Sequence, residues 1–306
     1  MVRSLRDIAK LAQKCGPKKL AVLAPEDEEF MLAVKRSCEM GYIEPILIGN
    51  TKKMERLAKN IKFDISGFEK IVENDRQTIS DLGINLLFSG KLSIVSKGQI
   101  PTSYIYRSTI RAEAKAGSGM KVSVISLWEM PEVDHLVAIT DTGVTINPDF
   151  KTKVEILKNA VFLYHLFGYK KPQIAVLSAQ REFSETLSSY HDYESLKQVA
   201  ASGDMGECEI IDSTSLSEIF MGMGGHLNNY SEIDLMKTPH IFLVPCLDTG
   251  NILCKLDLLL GVKRCSLTVT SRGAVCIPAR SDLRDAIITQ IAMGVVVADR
   301  IGKSVS

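Results

Sequence analysis

A chain of 306 residues is longer than one compact domain usually runs, so two domains or one large α/β unit are expected. Its 37 basic and 36 acidic residues leave a formal net charge of +1, with no surplus to grip nucleic acid, so any anion site has to be local. Seven cysteines lie scattered without a CxxC pair, and no apolar run reaches the roughly 18 residues that span a bilayer. These features imply a reducing cytoplasm and no membrane.

The opening "MVRSLRDIAKLAQKCG" carries Leu5, Ile8, Ala9 and Leu11 or Ala12 at helical spacing and has no continuous apolar h-region, so it reads as a folded helix. Short β-branched runs then alternate with amphipathic stretches: "KLAVLA" (19–24), "MLAVKRSCEMG" (31–41), "PILIG" (45–49) and "TKKMERLAKN" (51–60). This is βαβ punctuation. Further strands are expected at "LSIVS" (92–96), "VSVISL" (122–127) and "HLVAIT" (135–140), nearly all apolar, as suits strands covered on both faces.

A long helical pattern follows "DTGVTINPD" (141–149) and stops at Gly168 and Pro172. A second α/β cycle has strand candidates at 173–179, 240–246, 266–270 and 274–278, with helices near 183–202, 214–223 and 247–260. The boundary is placed near Pro148, with a last helix after "ARSD" (279–282) packing back on a sheet. The expected domains are 1–148 plus 276–306, and 149–275. "MGMGGHLNNYSE" (221–232) reads as a loop, and neither a P-loop, an H-E-x-x-H nor a G-x-S-x-G occurs.

Four strand-end segments combine a turn with charge: "SKGQIPTSYIYR", "TDTGVTINPD", "VPCLDTGNILCK" and "PARSD". Ligands of open α/β sheets bind beyond the carboxyl ends of strands, where helix N-termini also offer N–H groups to phosphate. Lys97, Arg107 and Arg280 can supply cations there, and Thr102 and Ser103 open a helix. Each also has a plain structural reading: Asp141 or Asp149 as a helix cap, Asn251 as a turn residue, Lys255 as a solvated helix residue. The five histidines have no metal-like spacing, and Cys246 and Cys254 are expected in core packing.

Taken together, the four segments resemble the phosphate acetyltransferase and phosphate butyryltransferase family, nearer the butyryl branch. "VPCLDTGNILCK" resembles its Val-Pro-x-x-(Asp/Glu)-(Ala/Ser/Thr)-Gly-Asn-x-Leu-x-Lys, and "TSRGAVCIPARSD" a run ending Ser-Arg-(Ser/Ala)-Asp. "TDTGVTINPD" and "GKLSIVSKGQIPTS" resemble two further segments in the right order. Three departures stand out: Ala279 replaces the family serine, Asp212-Ser213-Thr214 replaces Asp-Gly-Pro, and "FSETLSSY" replaces an Asn-Pro loop.

The resemblance implies two α/β domains with a cleft between them, isocitrate/isopropylmalate dehydrogenase-like, and a homodimer. It implies acyl transfer between coenzyme A and inorganic phosphate, with the coenzyme A thioester as substrate, no other cofactor and no metal. Arg280, Ser281 and Asp282 are then the catalytic candidates. Lys97, Gly98, Thr102, Arg107, Asp141, Asn147, Gly250, Asn251, Lys255 and Arg272 are the candidates for binding phosphate or coenzyme A. Ala279 and the altered loops support an alternative, a paralogue that binds acyl-CoA or a phosphate metabolite without turnover.

Overall fold

The computed structural model describes residues 1–179, 187–221, 233–279 and 282–305. The chain forms two units, residues 5–122 with 265–306 (the terminal unit) and residues 1–4 with 123–264 (the central unit).

The terminal unit opens with α1 (Leu5–Cys15), β1 (Lys18–Leu23), α2 (Glu28–Glu39), β2 (Ile43–Gly49), α3 (Thr51–Asn60), β3 (Lys70–Val72), α4 (Arg76–Phe88), β4 (Ile94–Lys97) and α5 (Thr102–Ala116). In the central unit the chain continues as β5 (Ile125–Glu129), β6 (Val137–Thr140), α6 (Phe150–Leu166), β7 (Gln173–Val176), α7 (Ser188–Ser202), β8 (Glu209–Ile210), α8 (Leu216–Met221), β9 (Ile241–Leu243), α9 (Leu247–Cys254) and α10 (Asp257–Leu260). It returns to the terminal unit with β10 (Lys263–Thr270), β11 (Gly273–Cys276) and α11 (Arg284–Val305).

Within the terminal unit the strand order is β3-β2-β1-β4-β11-β10, parallel except for β10, which pairs antiparallel with β11. The apolar runs explain it: all four residues of β4 and of β11 are buried, as strands covered on both faces require. From β1 the chain builds outward to β2 and β3, then returns to place β4 on the other side of β1. The order therefore reverses between β1 and β4, where an open α/β sheet leaves a crevice at its carboxyl end. α11 packs on β11, β4, α1 and α2, so the last helix does cover a sheet built largely from the first part of the chain.

In the central unit the order is β5-β6-β9-β7-β8, with β5 antiparallel to β6 and the rest parallel. β5 and β6, which the sequence grouped with the first domain, thus join the sheet of the central unit, β6 pairing with β9 and β5 with β6. Two short strands, β3 and β8, and helix α4 have no counterpart among the expected elements. The helix expected over 247–260 breaks into α9 and α10 at Lys255 and Leu256. Most of the 221–232 loop and the start of the 183–202 helix lie outside the described residues. No helix among the described residues is long and apolar enough to cross a membrane.

Behind β6 and β9 the rings of His135 and His240 stack with centroids 4.4 Å apart, edged by Tyr164 and Tyr169. His240 Nδ1 accepts the Gln173 N–H at 3.1 Å. Burial, helped by the neighbouring His135 and opposed by Asp134, lowers the His240 pKa from 6.5 to about 4. The folded state therefore holds this ring neutral. Its contribution to stability is complete above about pH 6.5 and is lost as the pH falls from there toward 4. Thermal melts should show a falling midpoint across that window, and His240→Phe, which keeps a stacking ring but cannot titrate, should flatten the fall while lowering the midpoint at neutral pH.

Candidate functional site

At the carboxyl ends of β1, β4 and β11 lies a cavity of about 320 Å³. Asp27 and Phe30 reach it after β1, Lys97 to Pro101 after β4, Pro278, Ala279 and Asp282 after β11, and Arg76 from the start of α4. Its location is the point where the strand order reverses.

Close backbone approach builds the β4 wall. Gly98 N–H donates to the Leu23 carbonyl at 2.7 Å and Gln99 N–H to the Ala24 carbonyl at 3.0 Å, clamping the turn after β4 onto the end of β1. A Cβ on Gly98 would sit 2.5 Å from the Ala24 oxygen and 2.9 Å from the Leu23 oxygen, so only glycine fits. This clamp fixes the neighbouring Lys97, which is 5% exposed and places Nζ 3.4 Å from the Gly98 carbonyl. α5 begins immediately after the cavity residue Pro101 with no side chain capping its first N–H groups. A helix start of this kind attracts anions.

Arg76 is a cation that the sequence reading missed. Glu26 receives both of its Nη atoms, at 3.1 and 3.0 Å, and also Lys53 Nζ at 3.1 Å. Burial alone would raise the Glu26 pKa, but the hydrogen bonds and charges of Arg76 and Lys53 outweigh it and hold the carboxylate low. The signal was present as "NDRQTIS", in which Asp75 caps α4 by accepting Thr78 N–H at 2.8 Å. On the opposite wall, Asp282 Oδ2 accepts Ala279 N–H at 2.9 Å, and Asp282 N–H donates to the Ala279 carbonyl at 3.1 Å. Arg280 and Ser281 lie outside the described residues.

Other expected binding residues of this unit stand apart from the cavity. Arg107 is exposed and leans toward α4, with Nη1 3.4 Å from Gln77 Oε1 and its guanidinium 5.7 Å above the Tyr104 ring. Arg111 pairs with Asp81 at 2.6 Å on the solvated face. Arg272 sits in the β10–β11 turn, at the amino end of β11 and so at the opposite sheet end from Lys97. That turn is tied to α5 through Ser271, whose N–H and hydroxyl both donate to Glu113 at 2.8 Å. Thr102 is the first residue of α5, beside Pro101.

The central unit gathers a second group after β6 and β9. Asp141, 2% exposed, accepts N–H groups from Val124, Gly143, Val144 and Thr145 at 2.8 to 3.2 Å. Its carboxylate is thereby built into the turn and caps no helix, whereas Asp149 caps α6 by accepting Thr152 N–H at 2.8 Å. Gly250 packs so closely on this turn that a Cβ would lie 2.3 Å from the Asp141 carbonyl oxygen. Asn251 Nδ2 donates to the Thr142 carbonyl at 3.3 Å and its Oδ1 accepts Lys255 Nζ at 2.7 Å. Asn147 is exposed. Cys254 is buried as expected, but Cys246 is not core: it stands at the N-cap of α9, where the Thr249 hydroxyl and backbone N–H groups lower its pKa. Among the described residues, no group of three His, Cys, Asp or Glu side chains could hold a metal ion.

This arrangement is that of the phosphotransacylase fold, which is also dehydrogenase-like. A phosphotransacetylase from Streptococcus pyogenes superposes with a TM-score of 0.76 at 15% identity, over 98% of this chain and 99% of that one. A 4-hydroxythreonine-4-phosphate dehydrogenase from Klebsiella pneumoniae does so at 0.55 and 12%, over 92% and 100%. The phosphate butyryltransferase of Clostridium acetobutylicum is 25% identical over 299 residues, 97% of this chain and 99% of its own length. The family described as "Phosphate acetyl/butaryl transferase" matches residues 79–292, and the chain belongs to it. It is a transferase of the phosphate acyltransferase type.

Because backbone carbonyls face the missing side chains, Gly98→Ala and Gly250→Ala should each cost about 1–3 kcal/mol. Urea unfolding should show a lower midpoint at unchanged slope for both, and a midpoint equal to wild type would mean that the backbone relaxes around the new methyl.

Proposed function

We propose that the protein transfers a short-chain acyl group, butyryl in preference to acetyl, between coenzyme A and inorganic phosphate. The observation that carries this reading is the cavity at the β1/β4 reversal, with Lys97 buried in one wall and an uncapped helix start beside it. A phosphate oxygen attacks the thioester carbonyl, the carbon–sulfur bond breaks, and acyl phosphate and the coenzyme thiolate separate. Both the phosphate and the tetrahedral oxyanion need fixed donors and positive charge.

Lys97, the N–H groups opening α5 at Thr102 and Ser103, and Arg280 are assigned to the phosphate and the oxyanion. Gly98 acts by shaping that wall. Ser281 is assigned to the leaving thiolate in place of the serine that Ala279 lacks, and Asp282 to proton transfer from the attacking phosphate. Asn251, Lys255 and Asn147 are assigned to the coenzyme, while Asp141 and Gly250 shape the turn that carries them. Arg107 and Arg272, away from the cavity, could touch only outlying parts of the coenzyme. The thioester is a substrate, and no further cofactor enters the scheme.

The butyryl preference is supported by the apolar part of the cavity wall, Phe30, Ile100 and Ile287. Two additional methylenes buried there favour butyryl by about 1.6 kcal/mol, or roughly tenfold in kcat/KM. Seven cysteines, none joined in a disulfide, suit a reducing cytoplasm. A homodimer is supported by Ile252, Leu258, Leu259 and Leu260, which are 62–82% exposed on α9 and α10. Beneath them the charges are buried, with Arg264 Nε on Asp257 Oδ2 at 2.6 Å. The four side chains offer on the order of 500 Å², so two copies face to face reach the lower range of specific interfaces.

Purified protein given butyryl-CoA and phosphate should release free thiol about tenfold faster, at limiting substrate, than with acetyl-CoA. Lys97→Met should lower the rate by about 10²–10³. Thiol release no faster than that of Arg280→Ala, with coenzyme A binding retained in calorimetry, would instead support the non-catalytic paralogue. In sedimentation, wild type should run as a dimer and Leu259→Asp as a monomer.

A further inference from the structure

Gln290 of α11 is almost wholly enclosed, at 1% exposure, yet it carries an amide where an apolar side chain would pack as well. Its Nε2 donates to Asp282 Oδ2 at 2.7 Å, the same oxygen that accepts the Ala279 N–H. Its Oε1 is buried without a hydrogen-bond partner. A half-satisfied amide in a core is unfavourable, and a native structure that keeps one invites an explanation. Packing does not supply it, since methionine has nearly the same volume and leaves nothing unpaired. The bond to Asp282 does.

We infer that Gln290 is a positioning residue, which holds the Asp282 carboxylate and through it Ala279 at the edge of the cavity. Three elements converge on this arrangement. The Cys276 thiol at the end of β11 donates to the Gln290 main-chain carbonyl at 3.2 Å, fixing the start of the turn against α11. Ile287, one helical turn before Gln290, lines the cavity, so the same face of α11 serves both. Asp282 bonds to Ala279 in both directions. An amide N–H suits this purpose because it donates to the carboxylate at any pH, whereas a carboxyl could do so only when protonated.

The charged groups sharing the cavity are Asp27 on α2, Arg76 on α4 and Lys97 on β4. On α11, Arg284 is engaged by Glu29 at 2.8 Å, with Asp285 next to it. None of the three cations is a hydrogen-bond donor to Gln290. The consequence for catalysis rests on the acyl-transfer reading above, whereas the consequence for the turn does not.

The two are separated by measuring both. In Gln290→Met, amide exchange at Ala279 should accelerate at least tenfold while Ile94 and Val95 of β4 keep their wild-type rates. The kcat for butyryl-CoA and phosphate should fall about 10–100-fold with KM within twofold, as a displaced Asp282 carboxylate predicts. In Gln290→Glu, kcat relative to wild type should be lowest at pH 8 and recover toward pH 5, where the introduced carboxyl regains a donor proton. Exchange at Ala279 that is unchanged, or that rises only in step with Ile94, overturns the proposal. So does a kcat within twofold of wild type in Gln290→Met. A wild-type protein that releases no thiol would remove the acyl-transfer reading, and exchange at Ala279 would still decide the role of Gln290.

Discussion

The hydrogen bond from Gly98 N–H to the Leu23 carbonyl, 2.7 Å long, is the contact on which the site depends. It joins the ends of β1 and β4, the two strands between which the sheet order reverses, and it forms only because residue 98 has no side chain. The crevice expected at such a reversal is thereby given a rigid backbone wall. Lys97 and the start of α5 are attached to that wall on either side of Gly98. A flexible lysine on a mobile loop would lose much of its rotamer freedom on binding phosphate, whereas here that freedom is already spent in folding.

The second wall arrives from far along the chain. β11 pairs with β4 in parallel register, so Pro278 and Ala279 emerge at the same sheet end as Lys97. The charges around the cavity nearly balance, with Asp27 and Asp282 facing Arg76 and Lys97. Arg76 is further offset by the bidentate hold of Glu26. Under the proposed function, attraction for a phosphate therefore falls on Lys97 and on the N–H groups at the start of α5, with Arg280 as the further cation. A cavity of mixed sign gains specificity this way, because its carboxylates exclude an anion from every pose except the one that meets the donors.

Much of this was legible in the sequence because both units are built mostly from parallel strands, and runs such as "KLAVLA" and "LSIVS" are apolar on both faces. Of the strand-end segments singled out in the sequence, the one around Lys97 and Gly98 and the one ending at Asp282 both reach the cavity. Arg76 was missed for a definite reason: the apolar residues of α4, Ile79, Leu82, Ile84, Leu86, Leu87 and Phe88, do not fall in one stripe, so the helical pattern is weak and its capped start went unnoticed. Arg272 lies away from the cavity because the β10–β11 connection is an antiparallel hairpin, which turns the chain to the far end of the sheet. The period-2 signal of a strand does not carry its direction. Asp141 was ambiguous in sequence and is resolved by four backbone donors, contacts that no local pattern encodes.

The central claim is that the cavity at the β1/β4 reversal is where phosphate meets the acyl group. A crystal structure of the protein with inorganic phosphate and an unreactive thioether analogue of butyryl-CoA tests it most directly. The account predicts phosphate within hydrogen-bond distance of Lys97 Nζ and the first N–H groups of α5, with the butyryl chain against Phe30 and Ile287. Both ligands ordered elsewhere, with this cavity left to solvent, would contradict it.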